Sequence, residues 1–350
     1  MPRIELPISK SIANRWLMLQ AIHGDELMPV SDSMPNDVRI MSEAIRLLGE
    51  RREARIDLGN CGTAMRFLTA YCAQLEGQTT ILDGMERMRH RPIGQLVDAL
   101  REIGADIEYL GEEGFPPLRI KGCILDKHRI VTINNPQSTQ FVSALLLIGG
   151  NVQTHSTSPY ITLTRTLIEQ YAHASSPYRL SPIALERDWS SAAFWYEHVA
   201  LHGGEIALPD LFRNSLQGDK VVADIFAQLG VQTHYTVEGV VIKPFACLST
   251  IASKIFSWDF SNCPDLYPAV ALTCEKLEIR LDATGVESLP FKESDRLRAV
   301  REHRTDADHR MAMALLIAGF EVDDTTCISK SYPHFLDHFR RINSLKIQEI

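Results

Sequence analysis

One arrangement of apolar and polar positions recurs along the chain: apolar residues at i, i+3 and i+4 end on an apolar–glycine pair and give way to alternation. It is clearest from Ile93 to Gly122, where LVDALREIG leads into ADIEYL, a GEEG turn and PLRIKG. From Lys220, VVADIFAQLG leads into VQTHYTV, an EG turn and VVIKP. Val38–Gly49 is a weaker relative, with 54–58 as its following strand. Bringing Gly104 onto Gly230 superposes helix, glycine and hairpin, which predicts an internal repeat of helix plus β-hairpin. Repetition on either side of residue 188 predicts two similar α/β domains, with a ligand cleft at their junction. One copy is cut short. DRLRAV starts a helix, yet only Arg301–Ala307 separate it from DHRMAMALLIAG, which leaves no room for a hairpin. The shortness predicts omitted residues there, visible as a backbone break across Glu302–Asp306.

Composition changes this picture little. At about 150 residues per domain, 350 residues make roughly two domains. The 45% hydrophobic and 23% charged content is that of an ordinary globular protein. A net charge of −8 argues against a nucleic-acid partner, so any anion site must be a local concentration of cations. The seven cysteines form no C-x-x-C pair and no zinc or disulfide spacing, which reads as free thiols in a reducing cytoplasm. No apolar run approaches the ~18 residues of a membrane span, so no membrane partner is expected.

The segments that carry chemistry are cations and hydroxyls at predicted helix starts. Ser9-Lys10-Ser11 enters a helix with Arg15 one turn on, either an anion site or a solvated helix end. Gly59-Asn60-Cys61-Gly62 turns sharply into another helix, but it matches neither G-x-G-x-x-G nor a Walker loop. RMRHRP places Arg87, Arg89 and Arg91 before a helix starting near Pro92, and Ser138-Thr139-Gln140 opens FVSALLLI. In Lys292-Glu293-Ser294-Asp295-Arg296, helical spacing would put Lys292 and Arg296 on one face with Glu293 beside it. Such a carboxylate among cations serves general acid–base work or a surface ion pair. Asp188 and Asp265 sit at turns before helices and read equally as N-caps. His334 and His338 have metal-like spacing but lack a third ligand, so no metal is expected.

Taken in order, SKSIANR, LGNCGTAMR, RHRPIGQLVDALREIGA, STQFVSALL, SPYITLT, ERDWSSAAF, CPDLYPAVAL, FKESDRLRA and DHRMAMALLIAG resemble the EPSP synthase family of enolpyruvyl transferases. The resemblance implies two inside-out α/β barrel domains, each of three βαβαββ repeats, closing on ligands in the cleft between them. Residues 10–187 would form one domain, and 1–9 with 188–350 the other. The implied reaction moves the enolpyruvyl group of phosphoenolpyruvate to the 5-hydroxyl of shikimate 3-phosphate, with no cofactor, in a cytoplasmic monomer. By position, Lys10, Ser11, Arg15, Ser138, Thr139, Gln140, Tyr160, Asp265 and Lys292 would bind shikimate 3-phosphate. Lys10, Asn60, Gly62, Arg91, Gln140, Arg296, Arg310 and Lys330 would bind phosphoenolpyruvate, with His309 beside its pocket. Asp265 would take the hydroxyl proton, and Glu293, relayed through Lys10, would serve the methylene carbon. Thr139 stands for a usual Ser, Cys61 for Ala, Phe67 for Pro and Ser288 for Asn. The sister transferase acting on UDP-N-acetylglucosamine and a catalytically dead scaffold are the alternatives. The Ser-Thr-Gln and KESDR segments disfavour the first, and the retained cations with Asp265 and Glu293 disfavour the second.

Overall fold

The computed structural model describes residues 1–173, 186–245 and 254–348. The chain forms two compact units: a first of Ser11–Ser31 and Asp37–Ser181, and a second of Met1–Lys10, Asp32–Asn36 and Pro182–Ile350.

In the first unit lie α1 (Lys10–His23, its first residue counted with the second unit), α2 (Asn36–Glu50), β1 (Glu53–Asp57), α3 (Gly62–Ala73), β2 (Thr79–Asp83) and α4 (Glu86–Arg89). Then come α5 (Gly94–Glu102), β3 (Asp106–Tyr109), β4 (Leu118–Lys121), β5 (Ile130–Thr132), α6 (Thr139–Leu147), β6 (Asn151–Gln153) and α7 (Pro159–His173). The sheet order β1-β2-β4-β3, with β1 and β2 parallel and β4 antiparallel between β2 and β3, gives a full βαβαββ pattern around α3 and α5. Leu96, Val97 and Leu100 bury one face of α5, while Asp98 and Arg101 stay in water. Gly104, at φ 101°, then turns the chain into β3, a conformation that side chains resist.

The second unit contains α8 (Trp189–His202), β7 (Ile206–Pro209), α9 (Val222–Gln228), β8 (Val231–Tyr235), β9 (Gly239–Pro244), β10 (Ile255–Asp259) and α10 (Tyr267–Lys276). It continues through β11 (Arg280–Thr284), α11 (Arg296–Glu302), α12 (His309–Ile317) and α13 (Phe335–Gln348). Here α9 meets Gly230, at φ 89°, and opens into the antiparallel β8–β9 hairpin, the arrangement seen after Gly104. The core is built on α8, α10 and α12, which pack on one another and are apolar nearly all round.

Both units therefore have the α/β character expected, but among the described residues the β5–β6 and β10–β11 sheets are two-stranded and parallel. After α11 the chain passes through a short turn straight into α12. Arg304 N–H bonds Ala299 C=O at 3.0 Å and Asp308 N–H bonds Thr305 C=O at 2.9 Å, closing the turn from α11 into α12 directly. The turn places three non-glycine residues, His303, Asp306 and Ala307, at positive φ, at a cost of about 1 kcal/mol each. Asp306 ties it down through Arg298 at 3.3 Å and Arg304 at 3.2 Å. No helix among the described residues is long and apolar enough to cross a membrane. Six cysteines are free thiols, and Cys247 lies outside the described residues.

Candidate active site

In each unit most of the predicted site residues stand at or just before the N-terminal ends of helices, where unpaired backbone N–H groups and the helix dipole favour anions. In the second unit the centre is Arg296. Its side chain is 1% exposed, and its fork reaches three carboxylates: Nε to Asp308 Oδ2 at 2.8 Å, Nη1 to Asp265 Oδ1 at 2.8 Å and Nη2 to Glu293 Oε2 at 3.2 Å. Asp265 also accepts from Arg310 Nη2 at 2.8 Å and lies 3.7 Å from Lys292 Nζ. Lys330 Nζ donates to Glu293 Oε1 at 2.9 Å.

Each partner arrives by a local rule. Asp265 rides on a short 3-10 helix, Pro264–Leu266, ahead of α10, and its carboxylate serves the arginines rather than a cap. Asp308 caps α12 by accepting from Arg310 N at 2.9 Å, while its other oxygen takes Arg296 and, at 3.2 Å, Ser294 Oγ. The helical register expected for Lys292–Arg296 is not the one found. Asp295 is the N-cap of α11, accepting from Arg298 N at 3.2 Å, so Lys292 and Glu293 lie in the preceding bends. Lys292 and Arg296 meet at Asp265, not along a helix face. Asp188 does cap α8, from Ser191 N at 3.1 Å, and its second oxygen lies 3.4 Å from the backbone N of Lys10.

Burial alone would raise the Asp265 carboxyl, but Arg310, Lys292 and Arg296 outweigh it and hold it well below the usual carboxylate range. Burial likewise opposes the Arg296 charge, and Asp308, Asp265 and Glu293 more than restore it. His309 is buried, and neither ring nitrogen has a hydrogen-bond partner among the described residues. Burial, then the charges of Lys10, Arg310 and Lys330, push its pKa well below 6.5, so it is neutral at pH 7.

The first unit carries a second constellation. The loop before α3 turns through Gly59, at φ 54°, with Asn60 C=O accepting from Gly62 N at 3.0 Å. A Cβ on Gly62 would lie 2.6 Å from Arg91 Nη1 and 2.7 Å from Arg66 Nη1, so only glycine lets both guanidiniums approach the helix start. Of the three RMRHRP arginines only Arg91 is buried, and Arg89 is engaged by Asp83 at 3.0 Å. Ser138 caps α6 through Gln140 N at 3.3 Å, Thr139 is the helix's first residue, and Gln140 Nε2 donates to Thr63 Oγ1 at 2.9 Å, joining the starts of α6 and α3.

Arg15, 3% exposed, donates to Thr164 Oγ1 at 2.7 Å, Ser11 C=O at 2.9 Å, Ser143 Oγ at 3.2 Å and Tyr160 C=O at 3.3 Å. Ser143, Thr164, Arg66, Ser294 and Asp308 are partners to which the sequence reading gave no role. The signal was available for Ser143 and Thr164, polar positions inside otherwise apolar helices. Of the predicted residues, Asp265, Lys292, Glu293, Arg296 and Arg310 with Lys330 form one bonded network. Ser11, Arg15 and Tyr160 form another, and Gly62 with Arg91 and Ser138 with Gln140 stand at the starts of α3 and α6. Lys10 belongs with the second unit and Ser11 with the first.

Comparison with known proteins gives a consistent result. The family model described as EPSP synthase (3-phosphoshikimate 1-carboxyvinyltransferase) matches residues 50–303 and 300–339, two segments that meet at the short α11–α12 turn. A protein of Bacteroides fragilis named 3-phosphoshikimate 1-carboxyvinyltransferase is 37% identical over 397 residues, covering 97% of this chain and 94% of that protein. One of Cellvibrio japonicus bearing the same name is 31% identical, covering 97% and 96%. Among solved structures, EPSP synthase from Acinetobacter baumannii superposes with TM-score 0.67 at 19% identity, covering 97% of this chain and 95% of that one. The enolpyruvyl transferase NikO from Streptomyces tendae gives 0.60 at 14% identity, covering 96% and 93%; at these identities both speak for the fold alone.

Proposed function

Since the chain belongs to the EPSP synthase family, we infer that it moves the enolpyruvyl group of phosphoenolpyruvate to the 5-hydroxyl of shikimate 3-phosphate, releasing phosphate. It is a transferase of the shikimate pathway, which leads to the aromatic amino acids. The observation that carries the residue assignment is the pair Asp265 and Glu293, fixed on one buried arginine fork with Arg310, Lys292 and Lys330 around them.

Addition requires three changes: a proton leaves the 5-hydroxyl, its oxygen bonds to C2 of phosphoenolpyruvate, and a proton joins the methylene carbon. The resulting ketal phosphate then loses phosphate and a methyl proton. Asp265 is the base for the hydroxyl and Glu293, with Lys10, the acid for the methylene. At rest Asp265 is too well stabilised to be a strong base, because three cations share its charge. Anions arriving on Arg310 and Lys292 draw those cations away and raise its proton affinity when substrate is present. Arg310, Lys330, Arg296, Lys10, Asn60, Gly62, Arg91 and Gln140 take phosphoenolpyruvate. Ser11, Arg15, Ser138, Thr139, Gln140 and Tyr160 take shikimate 3-phosphate, with Lys10, Asp265 and Lys292 completing the set. The enzyme is read as a cytoplasmic monomer without a nucleic-acid partner; the free thiols among the described residues support the cytoplasm and the charge of −8 the lack of a nucleic-acid partner.

Phosphate release separates the candidate acceptors. With phosphoenolpyruvate, shikimate 3-phosphate should give steady release and UDP-N-acetylglucosamine none; release with neither would overturn the reading. Gly62→Ala should raise KM for phosphoenolpyruvate about tenfold while KM for shikimate 3-phosphate moves less than twofold. The added methyl meets the guanidinium ends of Arg91 and Arg66 rather than backbone, so binding suffers before folding does. Equal KM values in wild type and variant would remove Arg91 from the phosphoenolpyruvate set.

A further inference from the structure

Among the described residues, the first unit holds a buried charge without a counter-charge. No carboxylate among the described residues stands within ion-pair distance of Arg15; its polar partners are two hydroxyls and two carbonyls. The ring of Phe67, itself 1% exposed on α3, fills the gap, with the guanidinium carbon of Arg15 5.3 Å from its centroid. The negative face of an aromatic ring attracts a cation, and more strongly where water is excluded. The four donated bonds leave one of the five guanidinium N–H groups for a ligand.

We infer that Phe67 is a positioning residue for the acceptor substrate, its ring face holding Arg15 charged and aimed at an incoming anion. It rests on the assignment of Arg15 to shikimate 3-phosphate. The hydroxyls and carbonyls fix the guanidinium in the plane of its N–H bonds. The ring acts on its face, a direction that no hydrogen bond controls. Burial lowers Arg15 to about 10, and removing the ring removes a source of attraction that opposes this loss. An ordered cation also spares the substrate the cost of arranging it on binding.

Steady-state kinetics on four variants of the enzyme test the role. Phe67→Leu keeps the position apolar but loses the ring and some volume. Replacing Phe67 with 3,4,5-trifluorophenylalanine keeps the shape and cancels the negative face. Both should raise KM for shikimate 3-phosphate about 5- to 20-fold, with kcat and KM for phosphoenolpyruvate within twofold of wild type. 4-Fluorophenylalanine should fall between. If the trifluoro variant keeps the wild-type KM while Phe67→Leu raises it, Phe67 only packs and the inference is overturned. Equal rises in both KM values overturn it as well, because that pattern marks a shift of α3 as a whole. Arg15→Lys separates the two layers: it should raise KM for shikimate 3-phosphate on its own. If it does not, the assignment of Arg15 falls and takes this inference with it; if it does and the ring variants do nothing, only the inference falls.

Discussion

Asp265→Asn loses about 10²- to 10⁴-fold in kcat, the range a positioned acid or base contributes, while KM for phosphoenolpyruvate does not rise. Affinity is spared because the change removes a negative charge from among Arg310, Arg296 and Lys292 and leaves them freer for an anion. Stability moves in the opposite sense. The native Asp265 pKa lies below its unfolded value, so its stabilisation is complete above about pH 4 and is lost as pH falls through that value towards the native pKa. The variant should therefore melt below wild type at pH 7, with the gap narrowing below about pH 4. Turnover by coupled phosphate release and melting by circular dichroism from pH 3 to 8 read both effects. A kcat within threefold of wild type would remove Asp265 from the chemistry. Glu293→Gln should fall as far, and the double variant little further, if the two carboxylates act in one reaction sequence.

Arg296→Leu should destabilise the second unit by about 3–5 kcal/mol, the cost of removing one partner from a buried ionic group. Asp308 at 0%, Glu293 at 10% and Asp265 at 24% side-chain exposure would lose the fork that bonds all three. Against a total of about 5–15 kcal/mol, this corresponds to a melting point lower by roughly 10 °C, with activity lost. Arg296→Lys should not restore either property, because one ammonium group cannot bond three carboxylates in the directions a guanidinium does. A melting point for Arg296→Leu within 2 °C of wild type would show that the carboxylates are held by something else. Both variants keep the chain length and the helix cap at Asp295, so loss of the fork is the intended difference.

The two carboxylates and their cations could be picked out of the sequence as candidates, but their bonding to one another could not. Lys292 and Arg296 suggested a shared helix face because four residues separate them, and Asp295 defeats that spacing by capping the helix one residue before Arg296. Capping is local, but the choice between Asp295 as a cap and Asp295 inside a helix depends on what the flanking side chains meet. Here they meet Asp265 and Asp308, 31 and 12 positions away from Arg296. The helix-to-hairpin units after α5 and α9 were readable for the opposite reason. Periodicity, a positive-φ glycine and alternation all act within a few residues. The short join after Glu302 was visible as an interruption, whereas the turn that closes it rests on contacts of Thr305 and Asp306 with groups elsewhere in the unit.

By itself the sequence determined the α/β class, the repeated helix-and-hairpin pattern, the absence of any apolar run long enough to span a membrane, and which residue types stand at the helix starts. These follow from hydrophobic periodicity and backbone preference, which are properties of neighbouring residues. Only the tertiary structure decided which charges share a partner. Arg296 satisfies three carboxylates, Gly62 admits two guanidiniums and Arg15 has a ring instead of an acid. The physical reason is that a buried charge is set by every group that excludes water from it, and those groups come from helices far apart in the chain.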